Sequence, residues 1–96
     1  MFEVYITSLA RKAIKKLPKT VKEEIVKICE EQLSDNPFNA FKLQKPLDEC
    51  RSFHFSVNGV NYRIAYRIIE EMKRIDIILI ATRENFYQKL KRALRL

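Results

Sequence analysis

The chain has 96 residues, of which 47% are hydrophobic and 32% are charged; this composition is typical of one folded domain with its own core. No run of about 18 apolar residues occurs, which excludes a transmembrane helix, and the N-terminal segment lacks the order of a signal peptide, so a cytoplasmic location is expected. The net charge of +7 favours an anionic partner, such as nucleic acid, an acidic protein or a charged membrane surface; a basic surface that serves only solubility is the alternative.

Cysteine and histidine are too scarce for a disulfide framework or for the paired spacing of a metal site. The chain has two cysteines and one histidine, and Cys29 lies on an apolar helical stripe where packing is its expected role. We therefore expect no metal and no cofactor.

The first third of the chain predicts a strand followed by a helical hairpin. Phe2, Val4 and Ile6 alternate with polar residues, as in a short strand. Ser8 is then expected to cap a helix over SLARKAIKKLPK, which Pro18 ends. Its apolar stripe comprises Leu9, Ala10, Ala13, Ile14 and Leu17.

A second helix is predicted over TVKEEIVKICEEQLSDNP. Thr20 and Glu23 have the spacing of a capping box at its start, and Asn36-Pro37 ends it. Its apolar stripe comprises Val21, Ile25, Ile28, Cys29 and Leu33. Because the turn between the two helices is short, we expect them to pack as an antiparallel hairpin.

The middle of the chain predicts a β-hairpin. The segment FNAFKLQKPLDEC has no clear period and is interpreted as a loop that feeds the sheet. From residue 51 the pattern alternates with period two, and Asn58-Gly59 supplies the turn. The alternation predicts that one face packs under the helices, with Tyr62, Ile64, Tyr66 and Ile68 on the return strand. The opposite face is expected to be open and polar, with Ser52, His54, Ser56, Arg63 and Arg67.

The last third predicts a buried strand and a helix. RIDIILIAT is apolar at nearly every position, as in an interior strand covered on both faces. Residues 84–96 form a helical tail with apolar residues at helical spacing and a basic end that frays without a partner. The predicted fold is therefore α+β, a single domain over residues 1–96 with a strand, a helical hairpin, antiparallel strands in meander succession and a C-terminal helix.

Several polar side chains on and beside the open face suit phosphate chemistry. Arg63 and Arg67 offer planar, bidentate contacts to phosphate oxygens, and His54 exchanges a proton near neutral pH. Arg83 follows the last strand, and Tyr87 comes four residues later, where sheet-end loops assemble sites. Structural roles remain open for each: solvated arginines, a structural histidine, and a tyrosine ring packed at the edge of the core.

In this order the segments resemble the RelE/ParE superfamily of bacterial toxins from toxin–antitoxin pairs. The resemblance covers nearly the whole chain: ARKAIKKLPKTVKEEI in the helical hairpin, NP followed by KL, GVNYRIAYRI in the paired strand, and IILIATRENFY at the end. It implies a small toxin neutralised by an antitoxin in a hetero-oligomer, without a membrane partner. RelE-type members cleave mRNA in the ribosomal A site without a metal ion.

The resemblance also implies roles for individual residues. Arg63 matches the strand arginine that stabilises the phosphate charge, Arg83 the arginine assigned to charge stabilisation or to the leaving oxygen, and Tyr87 the tyrosine that stacks on or orients the substrate. RelE-type enzymes of the best-known kind carry lysines where this chain has Ser52, His54 and Ser56. His54 would then supply the general base, or the site is weakened.

Basic side chains outside this cluster suit contacts with ribosomal RNA or with an acidic antitoxin. They are Arg11, Lys12, Lys15, Lys16, Arg67, Lys89, Lys91 and Arg92. Two other functions remain open within the same fold: a ParE-type inhibitor of DNA gyrase without nuclease activity, and a weakened toxin that only binds its antitoxin.

Overall fold

A computed structural model describes residues 1–96 and shows a five-stranded mixed sheet with packed elements on both faces. The strand order is β1-β5-β4-β3-β2; β1 runs parallel to β5, and all other neighbours are antiparallel. The strands are β1 (Glu3–Ile6), β2 (Phe41–Lys42), β3 (Arg51–Val57), β4 (Val60–Ile69) and β5 (Arg74–Thr82); the helices are α1 (Ser8–Lys15), α2 (Lys19–Ile28) and α3 (Phe86–Ala93). The predicted α+β architecture is confirmed, and no helix is long and apolar enough to cross a bilayer.

The first two helices bury one face of the sheet, as the apolar stripes predict. Ala10 of α1 and the whole predicted stripe of α2 are buried against the inward side chains of the sheet. Tyr66 lies in this core, and its hydroxyl donates a hydrogen bond to the carbonyl of Pro37 at 2.7 Å. A buried polar group of this kind needs a partner, which the segment after α2 supplies.

The opposite face is not open along its length, so that part of the prediction is wrong. Helix α3 and the segment before β3 cover it, and together they form a second apolar core. Ala65, Ile78 and Leu79 project from the sheet on this side, and such apolar surface is stable only when water is excluded. The residues buried in this core are Leu47, Cys50, Ala65, Ile78, Leu79, Phe86 and Leu90.

The β3–β4 hairpin forms as predicted. Asn58 and Gly59 have positive φ angles of 51° and 80°, the geometry that a tight two-residue hairpin turn requires. The turn sets the register that pairs His54 with Arg63 across the two strands. The register between β4 and β5 is irregular at Ala65/Tyr66. This irregularity allows both Ile77 and Ile80 to face the core under α1 and α2.

The helix starts differ from the predicted ones. Thr7, not Ser8, caps α1, because its hydroxyl accepts the Ala10 amide at 3.4 Å. The predicted capping box at Thr20 is wrong: α2 begins at Lys19 after an extended Pro18, and no side chain caps it. Helix α2 then continues as a π-helical turn over Cys29–Leu33.

The segment interpreted as a loop contains two short elements. Pro37–Asn39 forms a 3-10 turn, and Phe41–Lys42 adds an edge strand, β2, to β3. Leu9 also departs from the prediction, since 46% of its surface is exposed although it belongs to the predicted stripe of α1.

Candidate functional site

The open end of the second face holds His54 and Arg63 side by side. They are direct partners on β3 and β4, so their side chains project from the same face of the sheet. His54 is exposed and Arg63 is half-buried. The turn at Asn58-Gly59 therefore positions a titratable imidazole next to a permanent cation.

Tyr87 joins this pair from helix α3. The guanidinium carbon of Arg63 lies 5.1 Å from the centroid of the Tyr87 ring, a cation–π contact. Tyr87 follows Phe86, whose ring is buried and lies edge-on to it at 5.7 Å. Docking of Phe86 in the second core therefore fixes the ring that stacks on Arg63.

Arg83 reaches the same place from the end of β5. Its backbone amide donates a hydrogen bond to the carbonyl of Asn61 at 3.1 Å, and its side chain is exposed. Arg83, Arg63 and His54 line one cavity of about 260 Å³, which we call the phosphate cleft. The four predicted site residues are thus neighbours, although they come from β3, β4, the segment after β5 and α3.

The surroundings of His54 favour its neutral form. Partial burial lowers the pKa of His54, and the positive charge of Arg63 lowers it further. The Nε2 atom of His54 lies 3.0 Å from the hydroxyl oxygen of Ser52, which is fully buried. This contact orients the imidazole toward a buried hydroxyl, and the tautomer of His54 decides which atom donates.

A second, larger cavity adjoins His54 on its other side. Its volume is about 540 Å³, and we call it the lysine cavity. The ring of Phe41 lies 5.2 Å from the His54 ring, at an angle of 37°. Its lining includes Phe41, Lys42, Lys45, His54, Tyr87 and Lys91.

The predicted basic residues separate into two surfaces. Those at α1 are exposed on the face of the sheet that α1 and α2 cover, opposite to the phosphate cleft: Arg11, Lys12, Lys15 and Lys16. Those of α3 are exposed on the side of the cleft, and one of them lines the lysine cavity: Lys89, Lys91 and Arg92. Arg67 lies apart from both surfaces, half-buried beside Leu94 and Leu96, with its Nε atom unpaired.

Sequence reasoning missed two parts of the site. Ser52 was placed on the correct face, but its contact with His54 depends on side-chain geometry. Phe41 lies in a segment without periodicity, and only the pairing of β2 with β3 brings it to His54. No group of three potential ligands among His, Cys, Asp and Glu is arranged to hold a metal ion.

Comparison with known proteins places the chain in a family. A family model described as the ParE-like toxin of type II bacterial toxin-antitoxin systems matches residues 4–91. A search of curated proteins found no match.

Solved structures share the fold. A chain of the Mycobacterium tuberculosis RelBE2 toxin-antitoxin complex is 28% identical, with 85% of this chain and 91% of that chain covered and a TM-score of 0.73. A chain of the intact E. coli RelBE complex is 23% identical, with 88% and 99% covered and a TM-score of 0.72. A double arginine-to-alanine mutant of E. coli toxin RelE in the free state is 20% identical, with 98% and 95% covered and a TM-score of 0.78. Since the family model spans nearly the whole sequence, the chain belongs to the ParE-like toxins of type II bacterial toxin-antitoxin systems.

Proposed function

We propose that this toxin is an endoribonuclease that cleaves mRNA in the ribosomal A site, in the cytoplasm, by attack of a ribose 2′-hydroxyl on the adjacent phosphate. The observation that carries the proposal is the phosphate cleft, where His54 and two arginines surround one space. A base beside two cations is what phosphodiester transfer requires. The ring of Tyr87 stacks on Arg63, one of the residues that line this space.

In the proposed reaction, His54 removes the proton of the 2′-hydroxyl as the oxygen attacks phosphorus. The bond from phosphorus to the 5′-oxygen breaks, and that oxygen takes a proton from water as it leaves, while His54 returns its proton to the solvent. The products are a 2′,3′-cyclic phosphate and a free 5′-hydroxyl. Arg63 and Arg83, which line the same cleft, stabilise the extra negative charge of the phosphorane.

The lowered pKa of His54 supports its role as the base. A general base must be neutral before it accepts a proton, and partial burial together with the charge of Arg63 lowers the pKa of His54, which favours the neutral imidazole. The imidazolium formed during the reaction lies beside the incoming phosphate, whose negative charge offsets the repulsion from Arg63. Ser52 keeps the ring in place throughout.

The charge distribution supports two macromolecular partners. The net charge of +7 and the exposed basic residues of α1 and α3 suit contacts with the phosphates of mRNA and ribosomal RNA. An antitoxin encoded with the toxin is the second proposed partner, in a hetero-oligomer. Related toxins from M. tuberculosis and E. coli were solved in such complexes.

One observation favours a second candidate function. The family model carries the name of the ParE-like toxins, which leaves inhibition of DNA gyrase as the alternative. In that case the phosphate cleft has no chemical role, and substitutions within it leave toxicity unchanged.

Primer extension on a defined mRNA in translating ribosomes tests the proposal. We expect the wild-type protein to cut within the A-site codon, and Arg63→Ala and His54→Ala each to reduce the cleavage rate about 100-fold or more. Lys27→Ala is the matched control, because it removes one positive charge from the exposed surface of α2, remote from the cleft. Intact mRNA with the wild-type protein, together with loss of gyrase supercoiling, would establish the alternative.

A further inference from the structure

We propose that the lysine cavity is a nucleobase pocket of this toxin, in which a single-stranded RNA base stacks on Phe41 while neighbouring phosphates contact Lys42, Lys45 and Lys91. The proposal deepens the proposed nuclease function and rests on it. It assigns a binding role to β2, which contributes Phe41 and Lys42 to the lining, and to the segment between β2 and β3, which contributes Lys45.

Phe41 has the surroundings of a stacking platform. Its side chain is 68% exposed, although it is a large apolar residue on a strand of only two residues. One exposed aromatic ring is ordinary on a protein surface. This ring, however, forms a wall of a cavity and rests against the imidazole of His54 at 5.2 Å. Tyr87 provides a second aromatic ring in the same cavity.

The position of the cavity relative to the phosphate cleft also favours a nucleotide. The volume of about 540 Å³ is in the range of small-molecule sites. His54 lines both the lysine cavity and the phosphate cleft. A base in the cavity would therefore place its own ribose and phosphate next to the imidazole and the two arginines.

The positive charges around the cavity favour the binding of an anionic ligand. Three lysines line it, and no aspartate or glutamate does. The cavity around Cys50 differs, because Asp48 and Glu49 contribute to its lining beside Arg67. Single-stranded nucleic acid offers planar bases and negative phosphates in alternation, and aromatic rings with flanking cations are the surface that binds it.

Binding of a fluorescent oligonucleotide tests the proposal independently of cleavage. The probe is a hexadeoxynucleotide with one 2-aminopurine, which has no 2′-hydroxyl and is inert in the proposed reaction. Stacking of 2-aminopurine on an aromatic ring quenches its fluorescence, and anisotropy gives the affinity at low ionic strength. Two variants form a matched pair: Phe41→Trp keeps a planar ring, and Phe41→Leu keeps only apolar volume. Since Phe41 is exposed, both are expected to melt like the wild-type protein.

We expect Phe41→Leu to weaken probe binding about tenfold to a hundredfold and to abolish quenching, whereas Phe41→Trp retains both. Equal behaviour of the two variants, or no binding of the probe by the wild-type protein, would overturn the proposal. Quenching and affinity of Phe41→Leu equal to those of the wild-type protein would also overturn it, because the base would then not stack on the Phe41 ring.

The Arg83→Ala variant separates this proposal from the nuclease. Arg83 lines the phosphate cleft and not the lysine cavity, so Arg83→Ala is expected to lose cleavage and still quench the probe. If the wild-type protein cleaves mRNA and Phe41→Leu cleaves and binds equally well, the base pocket is wrong and the nuclease stands. If the wild-type protein quenches the probe through Phe41 but cleaves no mRNA, the pocket stands and the nuclease is wrong.

Discussion

Replacement of Leu90 by alanine should loosen helix α3 from the sheet and weaken the whole domain. The Leu90 side chain is fully buried in the second core, with 0% of its surface exposed. Removal of three carbon atoms costs about 2.4 kcal/mol in transfer free energy, and the cavity left behind adds to this loss. Because α3 is a single peripheral helix that settles partly into the space, we expect a loss of about 3 kcal/mol, within the range of about 2–5 for buried leucines.

Urea denaturation followed by circular dichroism measures this loss, since the chain has no tryptophan. With a slope of roughly 1–3 kcal/mol per molar urea, the midpoint should fall by about 1–3 M. Leu9→Ala is the matched control, because Leu9 is 46% exposed on α1, and its effect should stay within about 0.5 kcal/mol. A loss below about 1 kcal/mol for Leu90→Ala would refute the packing of α3 on the sheet, and with it the placement of Tyr87 and Lys91 at the site.

Three further predictions concern single side chains. Tyr66→Phe should lower the free energy of unfolding by about 1–2 kcal/mol, measured by thermal denaturation, because the Pro37 carbonyl loses its buried donor. The pKa of His54, read from the NMR titration of the only histidine, should lie below its usual value of 6.5, and Arg63→Gln should raise it. Cleavage should therefore fall only as the pH drops below this lowered pKa, since protonation removes the base. Burial, helped by the charge of Glu30, raises the pKa of Cys29 to about 11, so a thiol reagent should modify it only after unfolding.

Each of these predictions has a result that contradicts it. Tyr5→Phe is the control for Tyr66, because Tyr5 is 51% exposed; equal effects of the two would mean that the hydrogen bond to Pro37 contributes nothing. An unchanged pKa of His54 in Arg63→Gln would remove the electrostatic contact between the paired residues. Rapid modification of Cys29 in the native protein would show that α2 opens readily.

Local pattern was sufficient to predict the parts of the fold that depend on neighbouring residues. The period-two alternation and Asn58-Gly59 specified the β3–β4 hairpin, and the hairpin register then placed His54 beside Arg63. The apolar run of β5 predicted a strand covered on both faces, which the two cores confirm. These predictions succeed because side-chain periodicity follows directly from backbone geometry.

Features that depend on distant contacts were not predictable in this way. The parallel pairing of β1 with β5 joins segments that lie far apart in the sequence, with Glu3 opposite Arg74. Strand β2 forms only because β3 supplies its partner. The second face was expected to be open because the polar Arg63 and Arg67 dominate its pattern. Ala65 and the residues of β5 on that side instead require the cover of α3.

The same distinction holds at the candidate site. Residue type and resemblance predicted four site residues, and the fold brings them together: Arg63, Arg83, Tyr87 and His54. Phe41 was not predicted as a site residue, because only the pairing of β2 with β3 brings its ring to His54. The catalytic roles of these residues remain predictions until activity is measured.

The most direct test of the account is cleavage of a message that lacks one 2′-hydroxyl. Two mRNAs are placed in translating ribosomes, identical except for a 2′-deoxynucleotide on the 5′ side of the cleaved bond in the A-site codon. The proposed mechanism predicts that the all-ribose message is cut to a 2′,3′-cyclic phosphate and a 5′-hydroxyl, and that the deoxy-substituted message stays intact at that bond. Equal cleavage of both messages at that bond, or of neither, would contradict it.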